Sequence, residues 1–162
     1  MRIAVLADTH IPKRAKTLPD SAWKILESAE TILHAGDVLT REFLDQLSQM
    51  APLYAVRGNN DTDLIPETLE FNLAGTRFAM IHDSGDKKHR GARMRKRFPN
   101  ADVVVFGHSH IPINEYEQDL LLFNPGSPTD RRTQPQLTMG ILEVSDGKIQ
   151  KSDIIAIAKP KA

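Results

Sequence analysis

The run Asp102-Val103-Val104-Val105-Phe106 leads directly into Gly107-His108-Ser109-His110, and this stretch decides how the rest of the chain is interpreted. A continuous β-branched run of this kind predicts a strand buried on both faces. The glycine at its end allows a sharp turn, because it has no Cβ to clash. Two isolated loop histidines often have no function, so their meaning depends on whether other strands end in the same way.

Four other predicted strands also end in residues that can bind a metal ion. The strands and the residues that follow them are Arg2–Ala7 with Asp8-Thr9-His10, Thr31–Leu33 with His34-Ala35-Gly36-Asp37, Leu53–Val56 with Arg57-Gly58-Asn59-Asn60-Asp61, and Thr76–Ile81 with His82-Asp83. In α/β sheets, sites form beyond the carboxyl ends of the strands, so we expect these side chains to converge. One such ending could be chance, whereas five together predict a metal site.

The remaining pattern alternates strands with helices in the first half and forms hairpins in the second. Helices are predicted from Leu18-Pro19-Asp20, from an N-cap at Thr40 through Met50, and in the basic segment that Phe98-Pro99-Asn100 closes. The hairpin strands are 69–73 with 76–81, 113–117 with 120–123, and 137–144 with 149–157, and the last four residues are expected to fray. This order predicts a mixed α/β architecture, and no change of composition divides residues 1–162 into two domains.

Composition limits the chemistry and the location. The chain has 162 residues, no cysteine and a formal net charge of zero. Any metal site must therefore use nitrogen and oxygen ligands, and no global charge attracts nucleic acid or a membrane. No apolar run reaches the roughly 20 residues of a membrane span, and Met1-Arg2 leads into a strand without a signal-peptide core. We therefore expect a cytoplasmic protein.

The candidate ligand set suits two divalent ions better than one. Its members are Asp8, His10, Asp37, Asn59, His82, His108 and His110. Imidazole and carboxylate without thiolate favour Mn²⁺, Fe²⁺, Ni²⁺ or Zn²⁺. Two ions with two aspartates leave a positive centre, which attracts an anion and stabilises charge that develops on a phosphoryl group.

Together these motifs resemble the calcineurin-like metallophosphoesterases, and most closely the small single-domain phosphodiesterases of that superfamily. The resemblance extends from the first strand to Asn124-Pro125-Gly126-Ser127. It implies an αββα sandwich of two mixed sheets flanked by helices, in one metallophosphoesterase domain over residues 1–162. It also implies hydrolysis of a phosphate ester, most simply a diester, by a hydroxide that bridges two metal ions, with Mn²⁺ as the expected metal.

The same resemblance assigns the ligands to two ions. Asp8, His10 and His110 would hold the first ion, Asn59, His82 and His108 the second, and Asp37 would bridge them. Asp37, Asn59, Asn60, Asp61 and His108 would form the catalytic group.

Asn60 departs from the family pattern. Many relatives have histidine at this position, and the small phosphodiesterases often have cysteine. An asparagine cannot protonate a leaving alkoxide, although it can hydrogen-bond the phosphate or the leaving oxygen. We therefore expect a preference for good leaving groups such as aryl esters, with His89 the first alternative acid.

Several neighbouring residues have two interpretations each. Asp61 either orients a ligand or stabilises the Gly58-Asn59 turn, and His34 either packs in the core or hydrogen-bonds near the site. Arg57 either reaches a phosphate or is solvated. Asn124 and Ser127 are expected to line the pocket, while Pro125 and Gly126 shape the turn.

The segment 87–97 contains seven basic residues and no acid: Lys87, Lys88, Arg90, Arg93, Arg95, Lys96 and Arg97. A solvated basic helix is the first interpretation, since charge runs usually face water. Steering of an anionic substrate is the second. Contact with nucleic acid is the third, and it is less favoured because few aromatic residues interleave with the charges.

Two other functions compete with a phosphodiesterase. One is a non-catalytic binding scaffold on the same fold, in which ligand residues should be lost, whereas all seven are present here. The other is a phosphomonoesterase of the same superfamily. The expected partners are a phosphate-ester substrate and a possible second copy of the chain, with no membrane.

Overall fold

Ten strands and three helices follow one another in the computed structural model, which describes residues 1–61 and 65–158. The strands are β1 Arg2–Leu6, β2 Thr31–His34, β3 Leu53–Ala55, β4 Thr68–Leu73, β5 Thr76–Ile81, β6 Val103–Val105, β7 Ile113–Glu117, β8 Leu120–Asn124, β9 Leu137–Ser145 and β10 Lys148–Ile157. The helices are α1 Asp20–Glu27, α2 Arg41–Met50 and α3 Arg90–Arg97. The expected fraying of the last four residues lies outside the described residues.

The first sheet has the strand order β10-β9-β1-β2-β3. Its strands β1, β2 and β3 run parallel, with Val5 opposite Leu33 and Leu33 opposite Tyr54. Strand β9 is antiparallel to β1, and β10 is antiparallel to β9. The carboxyl ends of the three parallel strands therefore lie at one edge, where their ligand-bearing loops begin.

The second sheet has the order β4-β5-β6-β8-β7. Strands β5, β6 and β8 run parallel, with Met80 opposite Val105 and Val105 opposite Phe123. The hairpin partners β4 and β7 are antiparallel to them. Strand β6 is fully buried, as its continuous β-branched sequence predicts.

Three apolar layers join the sheets and helices. Val5, Leu33, Phe78 and other buried residues form the layer between the two sheets. Helices α1 and α2 cover the outer face of the first sheet, and α3 covers the outer face of the second with Met94. This arrangement confirms the predicted αββα sandwich of two mixed sheets.

Local signals in the sequence explain several boundaries. Helix α2 begins after Thr40, whose Oγ1 accepts a hydrogen bond from the Phe43 N–H at 3.3 Å and confirms the predicted N-cap. Strands β1, β3 and β6 end one residue earlier than predicted, because the chain leaves each ladder to enter a ligand loop. None of the described helices has the length and apolarity needed to cross a membrane.

Candidate metal centre

The loops that follow β1, β2, β5 and β6 bring five predicted ligands into contact. Asp8 Oδ1 lies 3.7 Å from His82 Nε2, 3.7 Å from His110 Nε2 and 4.0 Å from His10 Nε2. Asp37 Oδ2 lies 3.3 Å from His82 Nε2 and 3.6 Å from His10 Nε2. Residues up to 102 positions apart in sequence, Asp8 and His110, thus meet between the two sheets, as their strand ends predict.

These five residues form two overlapping groups with the spacing of metal ligands. One group is Asp8, His10 and His110, and the other is Asp8, Asp37 and His82; in each, the ligand atoms lie within 4.8 Å of one another. Asp37 Oδ2 lies between His10 of the first group and His82 of the second. A carboxylate in this position can contact two ions.

Four buried polar atoms of the cluster have no hydrogen-bond partner among the described residues: Asp8 Oδ1 and the Nε2 atoms of His10, His82 and His110. The other ring nitrogens of His82 and His110 are occupied, since His82 Nδ1 donates to Ala35 O at 2.7 Å and His110 Nδ1 donates to Asp130 O at 2.6 Å. These bonds leave the Nε2 lone pairs directed away from the backbone. Leaving four such atoms unpaired costs about 1–3 kcal/mol each, so their chemistry fits bound cations.

The charges in the cluster also favour a cation. Burial raises the pKa of Asp8 to about 7, although nearby His82 acts in the opposite direction. Burial likewise lowers the pKa of His10 and of His110, and it keeps both imidazoles neutral. Neutral imidazoles and a costly buried carboxylate are the state that a divalent cation stabilises.

The pKa values of Asp37 and His82 shift against the effect of burial, because the two side chains contact each other. Burial acts to raise the pKa of Asp37, but contacts from His82 and the Asn60 N–H outweigh it and hold that pKa well below its usual range. Burial acts to lower the pKa of His82, but the Asp37 and Asp8 carboxylates outweigh it and raise that pKa. Without a metal, His82 is therefore the histidine of the cluster that most readily takes a proton.

Five of the predicted ligand residues adopt a left-handed backbone conformation, with φ from 46° at His10 to 75° at His108. Asp8, Asp37 and His110 are the other three, at 55°, 59° and 62°. Residues with a Cβ seldom adopt this conformation, and it concentrates at functional sites where the surroundings enforce it. The sequence offered no direct signal for this feature.

Glycines allow the loops to approach one another closely. A Cβ added to Gly36, which has φ of 104°, would lie 2.9 Å from Gly58 N and would collide with the His82 ring. A Cβ on Gly58 would collide with the Asp37 carboxylate and backbone. The Gly-Asp and Gly-Asn motifs are therefore requirements of packing around Asp37.

Asp61 connects the loops that carry Asp37 and Asn59. Its Oδ2 accepts hydrogen bonds from the N–H groups of Asp37 at 2.8 Å and Gly58 at 2.9 Å, and its Oδ1 accepts one from Leu39 N–H at 2.8 Å. Asp61 thus does both things expected of it: it orients the loop of Asp37, and it stabilises the Gly58-Asn59 turn. The structure places Asp61 behind the ligands as a positioning residue, and its side chain does not join the cluster.

Asn60 also contacts Asp37. Its backbone N–H donates to Asp37 Oδ1 at 3.0 Å, and its side-chain amide donates to Asp37 Oδ2 at 3.4 Å. In this structure, therefore, the amide holds the carboxylate between the two groups. Its predicted contact with a leaving oxygen stays a prediction.

Asn59 and His108 lie outside the compact groups. Asn59 is exposed and lines a cleft of about 200 Å³ with Arg57, Glu67 and His82. His108 is half-exposed, its ring contacts the His82 ring edge-on at 5.3 Å, and its Nε2 lies 3.9 Å from Asp83 Oδ2. Both residues border the cluster, and their ligand roles stay predictions.

Two residues expected to line the pocket support its loops instead. Asn124 is fully buried and donates from Nδ2 to Gly107 O at 3.2 Å. Ser127 is also buried, and its Oγ donates to Asp8 O at 2.8 Å. Their polar atoms are engaged by backbone groups, so the expectation that they line the pocket is wrong.

His34 is a fully buried histidine whose two ring nitrogens are both engaged. Its Nδ1 accepts from Gly36 N–H at 3.1 Å, and its Nε2 contacts Thr9 Oγ1 at 3.0 Å. Burial lowers its pKa to about 4. The structure thus shows the hydrogen-bonding interpretation of His34, which joins the first two ligand loops.

The interpretation of the basic segment as a solvated helix is wrong for three arginines. Arg93 donates to Ser84 O at 2.7 Å and to Asp86 O at 2.6 Å, and Arg95 donates to Ala101 O at 2.8 Å. Arg90 is buried and lies over the Phe106 ring at 4.9 Å. His89, which precedes α3, is exposed and has a left-handed φ of 60°.

Sequence reasoning missed Asp130 and Arg132, and it named Asp83 beside His82 without giving it a role. Asp83 approaches His108, Asp130 O fixes the His110 ring, and Arg132 Nη1 donates to His108 O at 3.4 Å. Asp83 follows a ligand directly, which was a usable signal. The other two belong to a polar loop whose position only the fold reveals.

Comparison with known proteins places this geometry in context. The sequence profile described as "Calcineurin-like phosphoesterase superfamily domain" matches residues 1–147. A probable metallophosphoesterase of Methanothermobacter thermautotrophicus is 35% identical over 168 aligned positions, which cover 99% of this chain and 95% of that one.

Solved structures share the fold. Vps29 of Chaetomium thermophilum superposes with a TM-score of 0.80 at 20% identity, covering 99% of this chain and 100% of that one. A structure described as a novel archaeal phosphodiesterase superposes with a TM-score of 0.72 at 24% identity, covering 96% of this chain and 100% of that one. At these identities the likeness concerns the fold alone.

Proposed function

Because the chain belongs to the calcineurin-like phosphoesterase superfamily, we propose that it is a phosphodiesterase that works with two divalent metal ions. The observation that carries the proposal is a set of four buried atoms, on Asp8, His10, His82 and His110, that have no hydrogen-bond partner in the described part of the chain. Four such atoms in one place are costly in a protein that binds no cation.

In this proposal the ligands divide as the motifs suggest. Asp8, His10 and His110 hold one ion, Asn59, His82 and His108 hold the other, and Asp37 contacts both. The close group of Asp8, His10 and His110 supports the first set of ligands, and the position of Asp37 Oδ2 near both His10 and His82 supports its shared role. When bound, the ions supply a water-derived nucleophile and neutralise charge on the phosphoryl group. Nitrogen and oxygen donors suit Mn²⁺, which is the metal we propose.

The residues around the ligands position the centre. Asp61 fixes the backbone of Asp37 and Gly58, and Asn60 holds the Asp37 carboxylate. Neither Asn60 nor the neutral imidazoles of His10 and His110 can donate a proton to a leaving group at neutral pH. Substrates with leaving groups that depart without protonation are therefore favoured.

The choice of a diester rests on space beside the ligands. The cleft of about 200 Å³ next to Asn59 and His82 leaves room for a second ester substituent. The fold neighbour described as an archaeal phosphodiesterase supports the same choice. A scaffold function is the second candidate, because several solved neighbours are Vps29, a vacuolar protein sorting protein.

A metal-reconstitution assay tests the proposal. Chelator-treated protein is loaded with Mn²⁺, Ni²⁺ or Zn²⁺, its bound metal is measured, and turnover of bis(4-nitrophenyl) phosphate is compared with that of 4-nitrophenyl phosphate. We expect two ions per chain and a higher kcat/KM for the diester. Preference for the monoester indicates a phosphomonoesterase, and bound metal without turnover indicates a scaffold. Failure to bind any of the ions contradicts both phosphoesterase functions and leaves the scaffold.

A further inference from the structure

Arg132 lies at the rim of the candidate metal centre. It belongs to the loop between β8 and β9, and its Nη1 donates to the carbonyl oxygen of His108 at 3.4 Å. The residue is exposed, and its φ of 50° lies in the left-handed region. Its guanidinium is therefore accessible from solvent and close to the turn that carries His108 and His110.

The loop that presents Arg132 is fixed to the ligand loops. Ser127 Oγ accepts from Asp130 N–H at 2.9 Å and donates to Asp8 O at 2.8 Å. Thr129 Oγ1 donates to Thr9 O at 2.7 Å, and Asp130 O accepts from His110 Nδ1 at 2.6 Å. The segment before Arg132 is thus joined to the loops of Asp8 and of His110. These bonds hold the backbone that leads to Arg132 in a defined position.

Arg132 differs from the other arginines near it. Arg14 Nε pairs with Asp130 Oδ2 at 3.5 Å, and Arg131 Nη1 donates to Gln134 O at 2.7 Å. Among the described residues, no carboxylate forms an ion pair with Arg132. Its charge is therefore not neutralised within this part of the chain, although it lies beside a centre that should bind anions.

The electrostatics agree with this position. Burial dominates the pKa shifts of Asp8, His10 and His110, and the positive charge of Arg132 also acts on all three groups. A charge that influences three ligands of the first group will also attract an anion that binds above them.

We propose that Arg132 binds a non-bridging oxygen of the phosphate group that occupies the metal centre. The inference rests on the proposed function and adds a residue that recognises the phosphate itself. Arginine suits the task because its planar group offers several N–H donors to phosphate oxygens and stays charged at all relevant pH values. Since a phosphate keeps its anionic oxygens from substrate to product, Arg132 should contribute to binding more than to the chemical step.

The competing explanation is purely structural. The bond from Arg132 to His108 O could serve only to hold the His108 loop, which would then affect metal binding. The two roles differ in what is lost when the guanidinium is removed: phosphate affinity of the loaded protein in one case, and metal affinity in the other.

Calorimetry on Mn²⁺-loaded protein, with inorganic phosphate as the probe, distinguishes the phosphate-binding role of Arg132 from the structural one. Arg132→Gln should weaken phosphate binding by about tenfold, as expected for the loss of a charge-assisted hydrogen bond. Arg132→Lys should lose less, because the charge remains. The matched control Arg131→Gln removes the same charge from the next residue and should bind phosphate like the wild type. Titration of Mn²⁺ into metal-free Arg132→Gln should match the wild type.

Steady-state assays with bis(4-nitrophenyl) phosphate give a second measurement. Arg132→Gln should raise KM by a factor similar to the loss of phosphate affinity, while kcat changes by less than about twofold. Unchanged phosphate affinity in Arg132→Gln overturns the inference, and so does an equal loss in Arg131→Gln or a parallel loss of Mn²⁺ affinity. Because phosphate binding needs no turnover, an inactive wild type would contradict the proposed function and leave this test intact.

Discussion

The candidate metal centre and helix α3 place their charged side chains in opposite ways. In the candidate centre, residues from distant parts of the sequence meet, and four of their buried atoms have no hydrogen-bond partner within the described ranges 1–61 and 65–158. In and around α3, arginines close in sequence bind different backbone carbonyls: Arg93 binds those of Ser84 and Asp86, and Arg95 binds that of Ala101. Clustering in sequence therefore indicates function less well here than convergence without partners, because satisfied polar groups have no remaining capacity to bind a ligand.

The strongest test of this contrast removes the carboxylate between the two ligand groups. Asp37→Ala should lower kcat/KM on bis(4-nitrophenyl) phosphate by at least about 10³-fold, because a charged ligand shared by two ions is lost. Thermal unfolding should show that the variant is folded. The control is Asp45→Asn, which removes an exposed carboxylate paired with Arg41 and should keep full activity. Comparable activity in Asp37→Ala would exclude the cluster as the reaction centre.

A second test concerns the stability of α3. Arg93→Gln should reduce the free energy of unfolding by about 1–3 kcal/mol, because the carbonyls of Ser84 and Asp86 lose a charged donor. Lys96→Gln is the matched control, since Lys96 is exposed on the same helix and should change stability by less than about 0.5 kcal/mol. Denaturant unfolding measures both. Equal effects would mean that the carbonyl contacts of Arg93 add nothing.

Both variants also address the interpretation of the basic segment as a steering surface. If Arg93 is structural, Arg93→Gln and Lys96→Gln should leave kcat/KM for a small aryl diester within about twofold of the wild type. A steeper salt dependence in the wild type than in Arg93→Gln would instead restore the steering role of this arginine.

Much of the fold and of the site follows from the sequence, for identifiable reasons. Strand β6 is predictable because three consecutive valines are typical of a strand buried on both faces, and the ligand loops are predictable because parallel strands end at one edge. The left-handed backbone of Asp8 and His108 is not predictable, because tertiary contacts enforce it against local preference. The carbonyl contacts of Arg93 are likewise invisible in a charge count.

A third test concerns the effect of the buried His34 on stability at different pH values. His34 is buried with both nitrogens engaged, and its pKa is lowered to about 4 in the folded protein. Unfolded histidine has a pKa near 6.5, so the unfolded state binds more protons and stability should fall as pH decreases from about 6.5 to 4. Below that range both states are protonated, and the loss stops.

The measurement is urea unfolding between pH 7 and pH 4, on wild type and on His34→Gln. The variant should be less stable at pH 7, because Thr9 and Gly36 lose a well-placed partner, but its stability should fall less steeply with acid. Parallel pH profiles would show that another group causes the acid sensitivity.

The smallest expected effect concerns Asn60, whose side-chain amide makes a weak hydrogen bond to Asp37. Its amide donates to Asp37 Oδ2 at 3.4 Å, a long and therefore weak bond. The wild type should show a steep dependence of rate on leaving-group pKa across a series of aryl diesters, because no group of the centre protonates the leaving oxygen. Asn60→His should flatten that dependence and raise the rate for the poorest leaving group by about tenfold. A flat dependence in the wild type would show that another residue already donates the proton, and His89→Gln would then identify or exclude the exposed histidine before α3.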